Sequence, residues 1–347
     1  MRGLILAGGF ATRLRPLSCS KPKLLFPIVG VPLVELMAHW LSSGGVEQII
    51  LAVNHLSERL RIEVGQSVGG ATVTFSVEEL PLGTAGPVRL AANLLDKDEP
   101  FFVINGDIVS NIDIRGMLAL HQEKNADATI ALVSVLDSSP YGSVLADSNG
   151  VVRKFEEKSE APSGAARVNA GVYVLSPNLI GSIPVGRAFS LERDVFPKLA
   201  EKGRVRAWIH DGFWYDIGRV SEYVRANREL LEKRGSNASQ LGEDMEKRRN
   251  VVPPTYLGTN VRLGVGARVG PQTILSNKVS LGDEAIVRNS IVFEETVIGE
   301  KTTVDDAVIG ERVVIGKGSR IGRGSIIAGQ LSVPAGSVMP PNSIVLC

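Results

Sequence analysis

Two adjacent glycines and four cationic side chains fall close together near the start of the chain. The run Gly8-Gly9-Phe10-Ala11-Thr12-Arg13-Leu14-Arg15-Pro16 is followed by Lys21-Pro22-Lys23, which places Arg13, Arg15, Lys21 and Lys23 within eleven residues. Glycines let backbone N–H groups approach an anion closely and clustered cations neutralise it, so the combination suits phosphate chemistry. It matches neither the P-loop spacing nor Gly-x-Gly-x-x-Gly, and a glycine turn among solvated basic residues is the competing reading. Two aspartates stand where strands should end. Asp107 closes Phe101-Phe-Val-Ile-Asn-Gly-Asp107, and Asp216 lies between aromatic residues and a glycine in Phe213-Trp-Tyr-Asp216-Ile-Gly218. Taken singly, each is read most simply as a helix cap or turn residue.

Such residues need a scaffold that gathers strand ends, and the sequence up to about Leu231 predicts one. Apolar runs at Gly3–Ala7, Gln48–Asn54, Thr72–Val77, Phe101–Asn105 and Ala128–Val135 read as strands. Leu33–Leu41, Glu58–Val64, Ala85–Leu95 and Ile114–Lys124 each put apolar residues on one helical face. This alternation predicts an α/β domain with a largely parallel sheet and ligands at the strand carboxyl ends. Ser143–Ala146, Val151–Glu156 and Gly171–Leu175 read as hairpin-like strands that extend the sheet or form a lid. From Glu232 to Arg249 the chain turns polar and charged, as a linker would. The expected organisation is a domain over residues 1–231, a linker over 232–250 and a second domain over 251–347.

Beyond the linker a six-residue period appears. Leu263, Val269, Leu275, Leu281, Val287 and Phe293 keep it; after five-residue slips Ile298, Val304, Ile309, Ile315, Ile321, Ile327 and Val333 continue it. Small or aliphatic residues such as Ala267, Ala285, Thr302 and Ser319 follow four positions later, and glycine often comes directly after the large aliphatic, as in Leu263-Gly264 and Ile315-Gly316. A large aliphatic, a turn-permitting glycine and a small inward residue per repeat suit a triangular parallel β-helix. A β-sandwich would instead need period two over longer runs.

Composition narrows the function. Of 347 residues, 38 are Lys or Arg and 37 Asp or Glu, a balance that argues against a broad nucleic-acid face or a polybasic membrane anchor. No apolar stretch approaches the about 18 residues of a spanning helix. The opening apolar run of four residues is too short for a signal-peptide core, so the expected location is the cytoplasm. Cys19 and Cys347 offer neither metal spacing nor a disulfide framework.

The segment Leu6-Ala-Gly-Gly-Phe-Ala-Thr-Arg-Leu-Arg-Pro-Leu17, continuing through Lys21-Pro-Lys-Leu-Leu-Phe-Pro-Ile-Val-Gly-Val-Pro32, closely resembles the signature of the sugar-phosphate nucleotidylyltransferases. Within that family, Leu82-Gly-Thr-Ala-Gly86 and Ser190-Leu-Glu-Arg-Asp-Val-Phe-Pro197 are most similar to the guanylyltransferase branch. The resemblance implies a Rossmann-like nucleotidyltransferase domain with a mostly parallel sheet, followed by a left-handed parallel β-helix of hexapeptide repeats. It implies transfer of a nucleotidyl group from an NTP to a sugar 1-phosphate with release of pyrophosphate and Mg²⁺ as cofactor. GTP and mannose 1-phosphate are the expected substrates, and glucose-1-phosphate thymidylyl or uridylyl transfer is the alternative.

By the same resemblance, Arg13 grips the leaving pyrophosphate and Lys23 contacts phosphates at the reacting end. Leu6, Ala7, Gly8, Gly9, Glu79, Gly83 and Thr84 hold the nucleotide. Asp107 and Asp216 hold Mg²⁺, a hard ion that seeks carboxylate and phosphate oxygens. Phe155-Glu-Glu-Lys158 resembles Phe-x-Glu-Lys-Pro, with Ser159 in place of proline, which assigns Glu157 to sugar hydroxyls and Lys158 to the sugar phosphate. Gly142 and Asn169 belong to segments that line the sugar site in the family. The catalytic set is thus Arg13, Lys23, Asp107 and Lys158.

One position departs from the pattern: Ala11 stands where the family usually has glycine. A methyl fits there if φ is negative, and the departure keeps a silent regulatory relative as a rival reading. Acyl transfer by the β-helix is the third reading, but its usual histidine base is missing, since His39, His55, His121 and His210 all precede the linker. Open-ended coils predict a homo-oligomer. Because every assigned residue precedes the linker, the first 231 residues alone are expected to hold the whole site.

Overall fold

The computed structural model describes residues 1–54, 57–139, 141–156, 164–234 and 250–346. They pack as two compact units, Met1–Phe10 with Val34–Asp216 and Ala11–Leu33 with Ile217–Cys347. The boundary expected at residue 231 follows chain order, whereas packing assigns the basic segment 11–33 to the second unit.

The strands of the first unit are β1 (Arg2–Leu6), β2 (Gln48–Asn54), β3 (Ala71–Glu78), β4 (Phe101–Asn105), β5 (Ile108–Ser110), β6 (Ala128–Val135), β7 (Val144–Ala146), β8 (Val152–Phe155), β9 (Ala166–Leu175), β10 (Val205–His210) and β11 (Trp214–Asp216). The main sheet runs β10-β6-β9-β4-β1-β2-β3, with Ser67–Val68 at the β3 edge. β1 is parallel to both β2 and β4, and β2 to β3. β9 runs antiparallel to β4 and β6. Leu4, Ile5, Ile49, Ile50, Leu51 and Phe101 to Ile104 are all fully enclosed, which explains their unbroken apolar runs: a strand covered on both faces has no polar side. Gly171–Leu175 is the second half of a ten-residue strand whose pairing with β6 shifts register between Asn169 and Tyr173. β7 and β8 form a separate antiparallel pair. β10 is not among the strands expected from the sequence.

Helices α1 (Leu33–Ser43), α2 (Glu58–Val64), α3 (Gly86–Leu90), α4 (Ile114–Glu123) and α5 (Phe196–Glu201) connect these strands. Asp113 caps α4 by accepting the Gly116 N–H at 3.0 Å. Because the sheet grows from β1 to β2 and β3 on one side and then restarts with β4 on the other, a crevice opens at the carboxyl ends beside β1.

In the second unit, three parallel sheets of six, five and five short strands stack coil on coil, the arrangement of a left-handed β-helix. Leu275, Val292, Ile309 and Ile327 share one inner ladder through consecutive pairings. The inward position is therefore Val292 and not Phe293, and the first five-residue slip falls between Val287 and Val292. Phe293 lies outside the prism, with its ring 5.4 Å from Phe26 and 6.1 Å from Tyr223.

The glycines also differ from expectation. Left-handed corners are held by Gly266, Gly318, Gly324 and Gly336 but equally by Lys278, Glu284, Asn289, Glu295, Lys301, Asp306 and Arg312; of the glycines after the large aliphatic, Gly270 is at positive φ, whereas Gly264, Gly282, Gly299, Gly310 and Gly316 are not. A Cβ on Gly282 would meet Glu300 N at 2.6 Å, and one on Gly299 would meet Lys317 N at 2.6 Å, so these glycines admit the next coil. Inward hydroxyls satisfy passing carbonyls: Thr296 donates to Gly310 O at 2.8 Å and Thr302 to Gly316 O at 3.0 Å.

Helix α6 (Val220–Arg234) buries Tyr223, Ala226, Asn227 and Leu231, one face of a helix. The expected linker thus begins as helix, and residues 235–249 lie outside the described residues. α6 is tied to the β-helix by Arg228, which donates to Asn289 O at 3.0 Å and pairs with Asp306 at 2.5 Å.

Candidate active site

The carboxyl ends of β1, β2, β3 and β4 converge on the Gly8-Gly9 turn. Leu6 lies opposite Ala52 on one side and Asn105 on the other. Beyond it the Ala7 N–H donates to Ala52 O at 2.7 Å, the Gly106 N–H donates to Leu6 O at 2.9 Å, and the Asn54 amide donates to Gly8 O at 3.1 Å. These bonds hold the turn in place, and Gly9 faces open space. Gly8 is fixed from below, since a Cβ there would collide with the carboxylate of Glu78 at the end of β3. Glu78 is 5% exposed and accepts the Leu82 N–H at 3.1 Å. Burial pushes its carboxyl up from the ordinary value, and the Leu82 bond opposes that push. Glu79, the carboxylate expected here, is the exposed next residue. The alternation at the strand end, Ser76 buried, Val77 exposed, Glu78 buried, is the signal that separates the two.

Thr84 and Asn169 are brought into one network. The Thr84 hydroxyl donates to Glu192 Oε2 at 2.5 Å and accepts the Leu191 N–H at 2.8 Å. Ser190 donates to the same carboxylate oxygen at 2.8 Å, and the Tyr173 hydroxyl donates to Glu192 Oε1 at 2.9 Å. Asn169 Nδ2 donates to the Tyr173 oxygen at 2.9 Å, while its Oδ1 accepts the Gly171 N–H at 2.9 Å. The residue expected at the nucleotide is thereby joined to the one expected at the sugar through Glu192 and Tyr173, to which the sequence reading gave no role. Burial, then the negative charge of Glu192, then that of Asp107 raise the Tyr173 pKa well above its ordinary value, so the hydroxyl remains a neutral donor. Gly83, at φ 75°, passes so close to Phe189 that a Cβ would lie 2.6 Å from its carbonyl oxygen.

Strand register places the two aspartates at neighbouring positions on paired strands. β5 and β11 pair antiparallel with Asp216 opposite Ile108, the residue directly after Asp107. Among the described residues no group of three or more His, Cys, Asp or Glu is placed to hold a metal. A pair of carboxylates without nitrogen or sulfur donors fits Mg²⁺, which is commonly held by one or two carboxylates and completes its shell with phosphate and water oxygens.

Gly142, at φ 77°, donates its N–H to Ser138 O at 3.0 Å. The neighbouring Tyr141 ring meets Trp214 edge-on at 5.4 Å, and the Trp214 indole donates to Ala170 O at 2.9 Å. Glu157 and Lys158 lie outside the described residues.

Arg13 and Lys23 belong to the second unit. Arg13 is exposed and Lys23 half-buried, each in a short 3-10 turn. Lys21 separates from them: it is 3% exposed and ion-paired with Glu294 and, at 3.2 Å, with Glu311. That removes one of the four cations from the phosphate reading. Ala11 has φ 48° and ψ 36°, so the condition of a negative φ is not met. Its methyl sits in left-handed backbone, a conformation that costs a non-glycine residue roughly 1–2 kcal/mol. The Ser18 hydroxyl donates to Ala11 O at 2.8 Å and holds this turn.

Residues 2–233 match the sequence model of a family described as nucleotidyl transferase, and residues 251–346 match one described as the GMPPB C-terminal domain. A rice protein (Oryza sativa subsp. japonica) named probable mannose-1-phosphate guanylyltransferase 3 is 33% identical over 283 residues, 79% of this chain and 76% of the relative. The mannose-1-phosphate guanylyltransferase of Mycobacterium tuberculosis (strain ATCC 25618 / H37Rv) is 34% identical over 282 residues, 78% of this chain and 77% of the relative. The solved structure of HddC from Yersinia pseudotuberculosis complexed with GMP-PN superposes with a TM-score of 0.57 at 30% identity, covering 66% of this chain and 99% of that one. Among the described residues no helix is long and apolar enough to cross a membrane.

Proposed function

We propose, on the premise that this chain belongs to the nucleotidyl transferase family, that it transfers a guanylyl group from GTP to mannose 1-phosphate, forming GDP-mannose and pyrophosphate. The observation that carries the reading is the strand-end constellation: the glycine turn of β1 backed by Glu78, with Asp216 registered beside Asp107. Guanine presents N–H donors along one edge, and a carboxylate in its ionised form is an acceptor-only group suited to them. The names of the relatives point to the same base and sugar.

In this reading the sugar-phosphate oxygen attacks the α-phosphorus in line and pyrophosphate leaves opposite. The family typically uses a divalent metal; we take it to be Mg²⁺, held by Asp107 and Asp216, where it would neutralise charge building on the phosphate oxygens. Arg13 and Lys23 supply positive charge to the departing and reacting phosphates. Lys158 contacts the sugar phosphate, and Glu157, Asn169 and the Gly142 backbone take the sugar hydroxyls. Glu192 and Tyr173 keep Thr84 and Asn169 in register with one another. We further take the protein to be a cytoplasmic homo-oligomer assembled through its β-helix, which light scattering tests directly.

The deciding experiment is pyrophosphate release with Mg²⁺ across the four NTPs and the 1-phosphates of mannose, glucose and N-acetylglucosamine. GTP with mannose 1-phosphate should lead. A clear preference for dTTP or UTP with glucose 1-phosphate would replace this reading with the thymidylyl or uridylyl one, and no turnover in any cell of the matrix would favour a silent relative.

A further inference from the structure

Within the second unit, the segment that carries Arg13 and Lys23 is seated on the β-helix. Lys21 bonds Glu294 on one coil and Glu311 on the next. Phe26 meets Phe293 edge-on at 5.4 Å, and a Cβ on Gly30 would collide with the Tyr256 ring. α6 supports the same segment from its side: the Tyr223 hydroxyl donates to Pro27 O at 2.6 Å and Asn227 accepts the Val29 N–H at 2.7 Å. The rings and hydrogen bonds would seat many related loops. The ion cluster is different, because Lys21 and Glu311 are 3% and 1% exposed and a charge taken so far out of water tolerates only partners at defined positions. Lys23, two residues on, inherits that definition.

We propose that Glu294 and Glu311 are positioning residues for nucleotidyl transfer: through Lys21 they fix the segment that presents Arg13 and Lys23, so the β-helix is part of the phosphate-binding apparatus. This rests on assigning Arg13 and Lys23 to the phosphates. Burial raises the Glu294 carboxyl from its ordinary value, Lys21 opposes the shift, and the neighbouring Glu311 carboxyl adds to it, as expected for two carboxylates gathered on one ammonium.

The test uses the full chain. Glu311→Gln and Lys21→Met are compared with Glu295→Gln, a half-buried neighbour paired with the exposed Lys278 and Arg312. Three readouts are taken: thermal melting, amide hydrogen exchange, and kcat/KM for the NTP by pyrophosphate release. The first two variants should speed exchange in residues 11–33 and lower kcat/KM about tenfold or more, as small displacements of a charged ligand do, while Glu295→Gln matches wild type. If either variant fails to melt cooperatively, Glu294→Gln, at the more exposed rim of the cluster, replaces it and should show the same pattern more weakly. Wild-type exchange and kcat/KM in the folded variants would overturn the proposal. Arg13→Ala and Lys23→Ala test the assignment beneath it. If both retain full activity, the phosphate assignment fails and the positioning role goes with it; if both are impaired and the Lys21 and Glu311 variants are not, the assignment stands and the positioning role alone is lost.

Discussion

At the scale of single residues, the metal pair and Ala11 give the sharpest expectations. Asp107→Asn and Asp216→Asn keep the shape of each side chain and remove its charge. Each should cost at least ~2 kcal/mol of transition-state stabilisation, read from kcat/KM at saturating Mg²⁺. Full turnover by both would remove these aspartates from the metal site. For Ala11, the positive φ reverses the ordinary cost of glycine: Ala11→Gly relieves about 1 kcal/mol of left-handed strain and gives back part of it through the freer unfolded chain. The variant should melt at an equal or slightly higher temperature with turnover undiminished. A fall in melting temperature of several degrees would mean that the methyl makes contacts worth more than the strain.

Elements show how local pattern and packing divide the work. α4 packs His121 against the sheet, where Nδ1 lies 3.0 Å from Thr129 Oγ1 and Nε2 3.0 Å from Ser176 Oγ. Burial lowers its pKa from 6.5 to about 4, opposed weakly by Asp127, so the folded protein holds it neutral. The unfolded chain begins to bind that proton near pH 6.5 and the folded one only near pH 4. Stability should therefore drain away as pH falls between those values, by about 3 kcal/mol in all, and His121 should add nothing further below pH 4. Urea midpoints from pH 7.5 to 4 should show this slope in the wild type and lose most of it in His121→Gln. In the β-helix, Gly282→Ala should destabilise by more than ~1 kcal/mol, because its Cβ meets backbone of the next coil and not a movable side-chain tip. Lys278→Gly, at a left-handed corner, should be neutral or stabilising. If the two glycine changes ranked the other way, the close approach of coils would not be what selects glycine after the large aliphatic.

For the molecule as a whole, the decisive fact is that packing does not follow chain order. A chain ending at Arg234 retains every residue assigned to substrate or metal, yet it removes Glu294, Glu311, Phe293 and Tyr256 from beneath residues 21–30. It should lose most pyrophosphate-releasing activity and bind nucleotide weakly. Activity equal to that of the full chain would show that the basic segment holds its own shape. The sequence by itself determined the α/β alternation, the aliphatic period of the second domain and the glycine turn with its cations. Each is written in residues a few positions apart, because backbone geometry repeats every two residues in a strand and about every six in these coils. Tertiary structure decided the rest. Glu78 and not Glu79 backs Gly8, since the pleat turns adjacent side chains to opposite faces and only the finished sheet says which face is enclosed. Val292 and not Phe293 joins the inner ladder, since the coils below and above set the register and Phe26 gives the ring a place outside. Lys21 leaves the phosphate cluster for two carboxylates more than 270 positions away. No local period carries such a contact; it exists because a closed core brings distant segments together and a buried charge must find its partner there.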